Sequence, residues 1–269
     1  MSAFSIDAPN GHVGGIELGD GPPLVLLAGL GATAAIWGSL PETLGRRFHV
    51  LAPDNRGVGG SRGGGGFTFE AAVGDLEAIL DARGVDRAAI LGASMGGAIA
   101  LHAAVAMPSR VSRLVAVSAA AHLSRHGRRV LELLHDLMLY APPDRVGACL
   151  MTLAFSPPFH EHHADFVDDT TAVYGLDDAD LPGALVQIEH LLEGWDLRPH
   201  LSSLEMPVLI LCGDRDPVVA PEDTEALAAV LPRVELVRVR EAAHSVLAEG
   251  NAEILALVTR FLEGEGEPA

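Results

Sequence analysis

Ile90-Leu91-Gly92-Ala93-Ser94-Met95-Gly96-Gly97 is a short apolar run, then a Gly-x-Ser-x-Gly pentapeptide, then the opening of an Ala-rich helical pattern. A serine hydroxyl is a poor nucleophile unless it is held exposed, beside a base and near backbone N–H donors. A very tight strand-to-helix turn achieves this. It forces Ser94 into a strained backbone conformation, and Gly92 and Gly96 remove side chains that would clash where strand and helix converge. The Met95 N–H then lies at a helix N-terminus, where it can meet a developing oxyanion. The chain has 30 glycines, so chance matches to this motif are common and the flanking pattern has to carry the reading.

Working outward, Leu24–Leu27, Phe48–Ala52, Ala88–Leu91 and Leu114–Val117 are continuous apolar runs that read as strands. Ala34–Leu44, Thr68–Arg83 and Met95–Val105 have helical spacing between them. Apolar runs without alternation imply a sheet covered on both faces, hence a doubly wound, mostly parallel α/β arrangement. Phe4–Ile6 and Val13–Glu17 flank Asn10-Gly11, a hairpin signal. After the sixth strand the pattern changes. Arg128–Tyr140, Pro143–Phe155, Glu161–Tyr174 and Leu181–Leu192 all read as helices, so residues 121–203 are expected to form a helical cap, or lid. Strands resume at Val208–Cys212 and Glu235–Val239, with helices Pro221–Val230 and Asn251–Glu263. Residues 1–120 and 204–269 are expected to form the core domain, and the polar tail Glu263–Ala269 to fray.

Composition narrows the function classes. Hydrophobic residues make up 49% of 269, enough for a full core. The formal net charge is −18, and all 18 basic residues are arginine. That balance speaks against nucleic acid and against an anionic membrane as partners. The first residues lack a basic segment followed by an apolar one, and no apolar run approaches about 18 residues. A cytoplasmic protein is expected, with Cys149 and Cys212 as reduced thiols. Oligomeric state is not legible.

A hydroxyl nucleophile needs a base, and the base needs a carboxylate to hold it. In an open α/β sheet both come from loops at the C-terminal ends of strands. Gly213-Asp214-Arg215-Asp216-Pro217 follows Val208–Cys212 directly, and Glu241-Ala242-Ala243-His244-Ser245 follows Glu235–Val239. Ser94, Asp216, His244 is the order expected behind a nucleophile elbow. Asp214 is the rival acid. Asp216 is preferred because it stands further out and is stiffened by Pro217, while Asp214 suits a turn cap. The oxyanion hole needs a second N–H besides that of Met95, and Leu30, between Gly29 and Gly31 after the strand Leu24–Leu27, is the candidate. Leu134, Met138, Met151 and Phe155 are candidates for the substrate wall. His160, Glu161, His162, His163 and Asp165 invite a metal reading, but His162 and His163 do not share a helix face. No metal and no cofactor are expected.

Gly-x-Ser94-x-Gly, Gly213-x-x-Asp216, His244 and Asp54-x-Arg56-Gly57-x-Gly59-x-Ser61 together resemble the α/β-hydrolase superfamily. The likeness is closer to its lidded bacterial branch of esterases, 3-oxoadipate enol-lactonases and cofactor-free haloperoxidase-like enzymes. It implies a serine hydrolase acting on a small ester or lactone, a carboxylesterase or lactonase. It also implies that the Asp54–Ser61 stretch is structural. Two positions depart from the family pattern: Ala28 stands where a His usually precedes the oxyanion-loop Gly, and Ala243 where a Gly usually precedes the His. A serine at position 94 disfavours the Asp-nucleophile dehalogenases and epoxide hydrolases. Two rivals stay open. One is a lyase, haloperoxidase-like or isomerising enzyme using the same residues, and the other is a catalytically silent ligand-binding protein.

Overall fold

A computed structural model describes residues 1–9, 11–62, 66–174, 179–250 and 252–264. Asn10 of the hairpin signal, Asn251, the glycines at 63–65 and the tail from 265 lie outside the described residues. One eight-stranded sheet runs through the molecule in the order β1-β2-β4-β3-β5-β6-β7-β8. The strands are β1 Ser2–Ala8, β2 Gly11–Leu18, β3 Pro23–Leu27, β4 His49–Pro53, β5 Ala88–Ala93, β6 Val111–Val117, β7 Val208–Gly213 and β8 Val234–Val239. β3 to β8 are parallel, whereas β2 runs antiparallel to both β1 and β4.

Successive residues of a strand face opposite sides of its sheet, so an unbroken apolar strand feeds two cores. Val25, Ile90, Leu114 and Val208 are in register and pack into one core. That core is completed by helices α2 (Phe69–Ala82) and α3 (Met95–Ala106). Leu26, Leu91, Val115 and Leu209 feed the opposite core with Leu44, Val258 and Leu262. Helix α1 is Leu40–Leu44, and after β6 come α4 Arg125–Tyr140, α5 Pro143–Ala154, α6 Pro157–His162, α7 Ala164–Tyr174, α8 Leu181–Glu193 and α9 Arg198–Leu201. After β7 come α10 Pro221–Ala228, α11 Val246–Glu249 and α12 Ala252–Glu263. The sheet is thus doubly wound. The chain leaves it near Ala121 and returns near Leu197, where Leu197 N donates to Ala121 O at 2.8 Å and Leu123 N to Trp195 O at 3.2 Å.

Several boundaries differ from the sequence reading. Ala34–Leu44 is not one helix: a 3-10 turn at Ala34–Trp37 ends at Gly38, whose φ of 52° stops it, and α1 starts afresh around Pro41. Glu161–Tyr174 is also two helices, broken at His163 (φ −134°, ψ 37°). Helix α4 begins three residues earlier than its apolar spacing suggests, because the Ser124 side chain caps it by accepting from Gly127 N at 3.1 Å. The short helices α9 and α11 have too few turns to show a period.

Helices α2 and α3 meet through a ring stack. His102 lies 4.0 Å from Phe69 between centroids, at 12°. Burial there holds the His102 imidazole down to about 4, from its usual 6.5. The unfolded chain therefore binds a proton between those values that the folded one refuses, so His102 costs stability as pH falls from 6.5 toward 4. Thermal melts of His102→Phe, which keeps a flat ring on Phe69, should show a smaller drop in midpoint between pH 7 and pH 5 than the wild type shows.

Candidate active site

Ser94 occupies the turn between β5 and α3 with φ 56° and ψ −120°, a region that non-glycine residues rarely enter. Crowding shapes the turn. A Cβ on Gly96 would lie 2.0 Å from the carbonyl oxygen of Leu27, and one on Gly92 would lie 2.3 Å from that of Gly96. Only the two glycines let β3, β5 and α3 approach this closely. The Ser94 N–H donates to Val117 O on β6 at 2.8 Å, while its carbonyl accepts from Gly97 and Ala98 in the first turn of α3. Met95 is the first residue of that helix, where backbone N–H groups have no intrahelical acceptor.

Asp216 and His244 meet across the ends of β7 and β8. The His244 Nδ1 lies 2.8 Å from Asp216 Oδ2 and 3.1 Å from Oδ1. A carboxylate only accepts, so Nδ1 carries a proton, and in the neutral imidazole Nε2 is then an acceptor. The Asp216 side chain is fully buried, and its Oδ1 also accepts from Val218 N and Val219 N at 2.8 and 3.0 Å. Asp214 is exposed and is spent differently. Its Oδ1 accepts from Glu241 N at 2.7 Å, holding Glu241 at φ 64°. Ser94 and His244 line one cavity of about 190 Å³.

Polar side chains that the sequence reading did not single out hold these loops. Ser118 Oγ donates to His244 O at 2.7 Å. The Glu249 carboxylate on α11 accepts from Ala243 N, the residue before His244, and from both Ser156 N and Ser156 Oγ. On the other side, Asn55 Nδ2 donates to Ala28 O and Gly29 O at 3.1 and 2.6 Å. Gln187 of α8 is fully buried, accepts from Gly31 N at 2.7 Å and donates to Arg56 O at 2.8 Å. Leu30 therefore sits in a loop anchored before and after it, and lines the same cavity as Ser94. A rule that buried polar groups must be paired could have flagged Gln187 only once its burial was known. Asp54 and Arg56 face backbone and core: Asp54 accepts from Ala34 N and Gly60 N, and Arg56 forms a buried bidentate pair with Asp75. Burial pushes the Asp75 carboxyl up while Arg56 opposes that shift.

Of the four expected wall residues, Leu134 and Met151 line the cavity. Met138 and Phe155 are not among its lining residues. Met138 packs into the main core, and Phe155 stacks on Phe159 in a small satellite cluster, 5.0 Å between centroids. Helical spacing separates buried from exposed faces but cannot separate a core from a cavity wall. Leu131, Leu150, Trp195 and Val219 also line the cavity. In the histidine-rich stretch, His162 Nδ1 contacts Pro158 O at 2.7 Å and the His163 ring leans on Phe159.

Two substitutions test this architecture. Gly96→Ala should lower the stability by at least about 3 kcal/mol, since the added methyl meets backbone and not a movable side chain. Gln187→Leu strands the Gly31 N–H and Arg56 carbonyl in the interior and should cost about 2–4 kcal/mol. Denaturant melts of both variants measure these losses.

A comparison with known proteins agrees with the fold. The profile of the alpha/beta hydrolase fold matches residues 22–251. A protein of Serratia proteamaculans with the provisional name carbamate hydrolase RutD is 27% identical over 227 residues, covering 84% of this chain and 85% of its own. A pimeloyl-[acyl-carrier protein] methyl ester esterase of Aliivibrio salmonicida is 30% identical over 260 residues, covering 93% of this chain and 95% of its own. Among solved structures, the enol-lactonase of Burkholderia xenovorans LB400 superposes with a TM-score of 0.84 at 22% identity, covering 97% and 98% of the two chains. With its Gly-x-Ser-x-Gly turn and a profile match spanning most of its length, the chain belongs to the alpha/beta hydrolase fold family.

Proposed function

We propose that this hydrolase-family protein cleaves a carboxylic ester or lactone through an acyl-enzyme on Ser94. One observation carries the reading: Ser94, on a strained turn, and His244, held by Asp216 behind it, border the same cavity. In this mechanism the His244 Nε2 removes the Ser94 proton as Oγ attacks the carbonyl carbon. Asp216 keeps the imidazole in the tautomer that leaves Nε2 free to accept and balances the imidazolium that forms. The N–H groups of Met95 and Leu30 receive the oxyanion, each contributing roughly 3 kcal/mol to the transition state. The imidazolium then protonates the leaving alcohol, and water, deprotonated by His244, releases the acid.

Residues 121–203 act as the cap in this reading and close the cavity over the reacting groups. The apolar part of its wall, including Leu134 and Met151, favours an apolar acyl or lactone portion. The names of the relatives, a carbamate hydrolase and a methyl ester esterase, support hydrolysis at a carboxyl-level carbon. Among the described residues no helix is long and apolar enough to cross a membrane. The free thiols Cys149 and Cys212 fit a reducing, cytoplasmic setting.

Steady-state hydrolysis of a panel of neutral esters and lactones tests the assignment. Ser94→Ala should lose at least about 10⁴-fold in kcat with its melting curve intact. Undiminished turnover would reject the assignment. Asp216→Asn should lose on the order of 10³–10⁴-fold, because the asparagine can no longer fix the imidazole tautomer. Asp214→Asn keeps an acceptor for Glu241 N and should stay within about threefold of wild type. The opposite ranking would move the acid to Asp214.

A further inference from the structure

The cavity that holds Ser94 has a charge pattern as well as a shape. Among the described residues its wall contains one carboxylate, Asp223, two histidines, His122 and His244, and no arginine, and the chain has no lysine. Asp223 stands in the first turn of α10, on the connection from β7 that also carries Asp216. Its Oδ2 accepts from Ser124 Oγ at 2.6 Å, and the same Ser124 oxygen accepts from Gly127 N at 3.1 Å. Ser124 thus commits its only proton to Asp223 and fixes the orientation of the carboxylate. Both side chains line the cavity. A carboxylate offers roughly four lone-pair positions, and Ser124 uses one of them.

A negatively charged substrate group entering this space would shed its water against leucines and methionines, meet no arginine or lysine and approach a like charge. An ammonium, hydroxyl or amide N–H would instead find a preoriented acceptor. We propose that Asp223, held by Ser124, is the specificity-determining acceptor of this cavity. The substrate class is then a neutral or cationic ester or lactone bearing a hydrogen-bond donor, and carboxylate-bearing substrates are rejected. The proposal rests on the hydrolase reading only for the word substrate. The recognition itself belongs to the cavity.

Three probes of equal chain length, an n-alkylammonium, an n-alkanol and an n-alkanoate, test it as competitors of neutral ester hydrolysis. In the wild type the ammonium should bind at least about tenfold more tightly than the alkanoate, with the alkanol between them. Asp223→Asn should bring the ammonium and alkanoate constants within about threefold of each other. Ser124→Ala leaves the carboxylate but frees its rotation, and should reduce the preference without abolishing it. An alkanoate that binds the wild type as well as the ammonium overturns the proposal. So does an unchanged ratio in Asp223→Asn with a wild-type melting curve. Calorimetric titration of the same probes into Ser94→Ala reads the same order without turnover. Failure of ester hydrolysis is therefore separable from failure of the acceptor assignment, and the wild-type order decides even where Asp223→Asn does not fold.

Discussion

The crowded junction of β3, β5 and α3 governs the rest of the molecule. Two backbone approaches there leave no room for a Cβ, one at Gly92 and one at Gly96. The helix can start immediately after the strand only if Ser94 takes a left-handed φ of 56°. Such a conformation costs of order 1–3 kcal/mol and persists only where surrounding structure over-determines it. Here the surrounding structure is the two apolar cores, which pin β5 between β3 and β6 and bury the first residues of α3. Burial in the sheet thus offsets the strain that presents the serine.

Around that fixed point the remaining groups sit on loops, and loops need their own restraints. The side chains that restrain them come from distant parts of the chain. Asn55 and Gln187 hold the loop around Leu30, and Ser118 and Glu249 hold the loop around His244. Gln187 and Ser156 both belong to the helical segment between β6 and β7. That segment is therefore hydrogen-bonded into both halves of the candidate site. A shift of the α8 helix would pull on Gly31, and a shift at α6 would pull on Glu249 and so on Ala243. The proposed cap thus reaches each proposed catalytic loop through its own set of hydrogen bonds.

Much of this was legible in the sequence for identifiable reasons. The apolar runs at Leu24–Leu27 and Ala88–Leu91 lack alternation, which implies doubly covered strands, and the Gly-x-Ser-x-Gly turn after one of them is a local signal. Asp216 was separable from Asp214 by Pro217 and by position on the loop, and the two carboxylates do have different partners. Helix ends were less legible where a cap or a break outweighed periodicity, as at Ser124, Gly38 and His163. Met138 and Phe155 pack into apolar clusters and not along the cavity; apolar spacing says that a residue is buried, not against what. Gln187, Asn55 and Glu249 were invisible for a related reason. Their partners are backbone atoms far away in sequence, and polar residues on a helix or loop ordinarily face water.

We propose Ser94 as a nucleophile that its strained turn presents to the cavity bordered by the Asp216-held imidazole. Reaction of the intact chain with a fluorophosphonate probe, followed by peptide mass mapping, tests it most directly. The account predicts one covalent adduct per chain, on Ser94, and its loss in His244→Ala. An unmodified chain, or an adduct on any other residue with Ser94 intact, would contradict it.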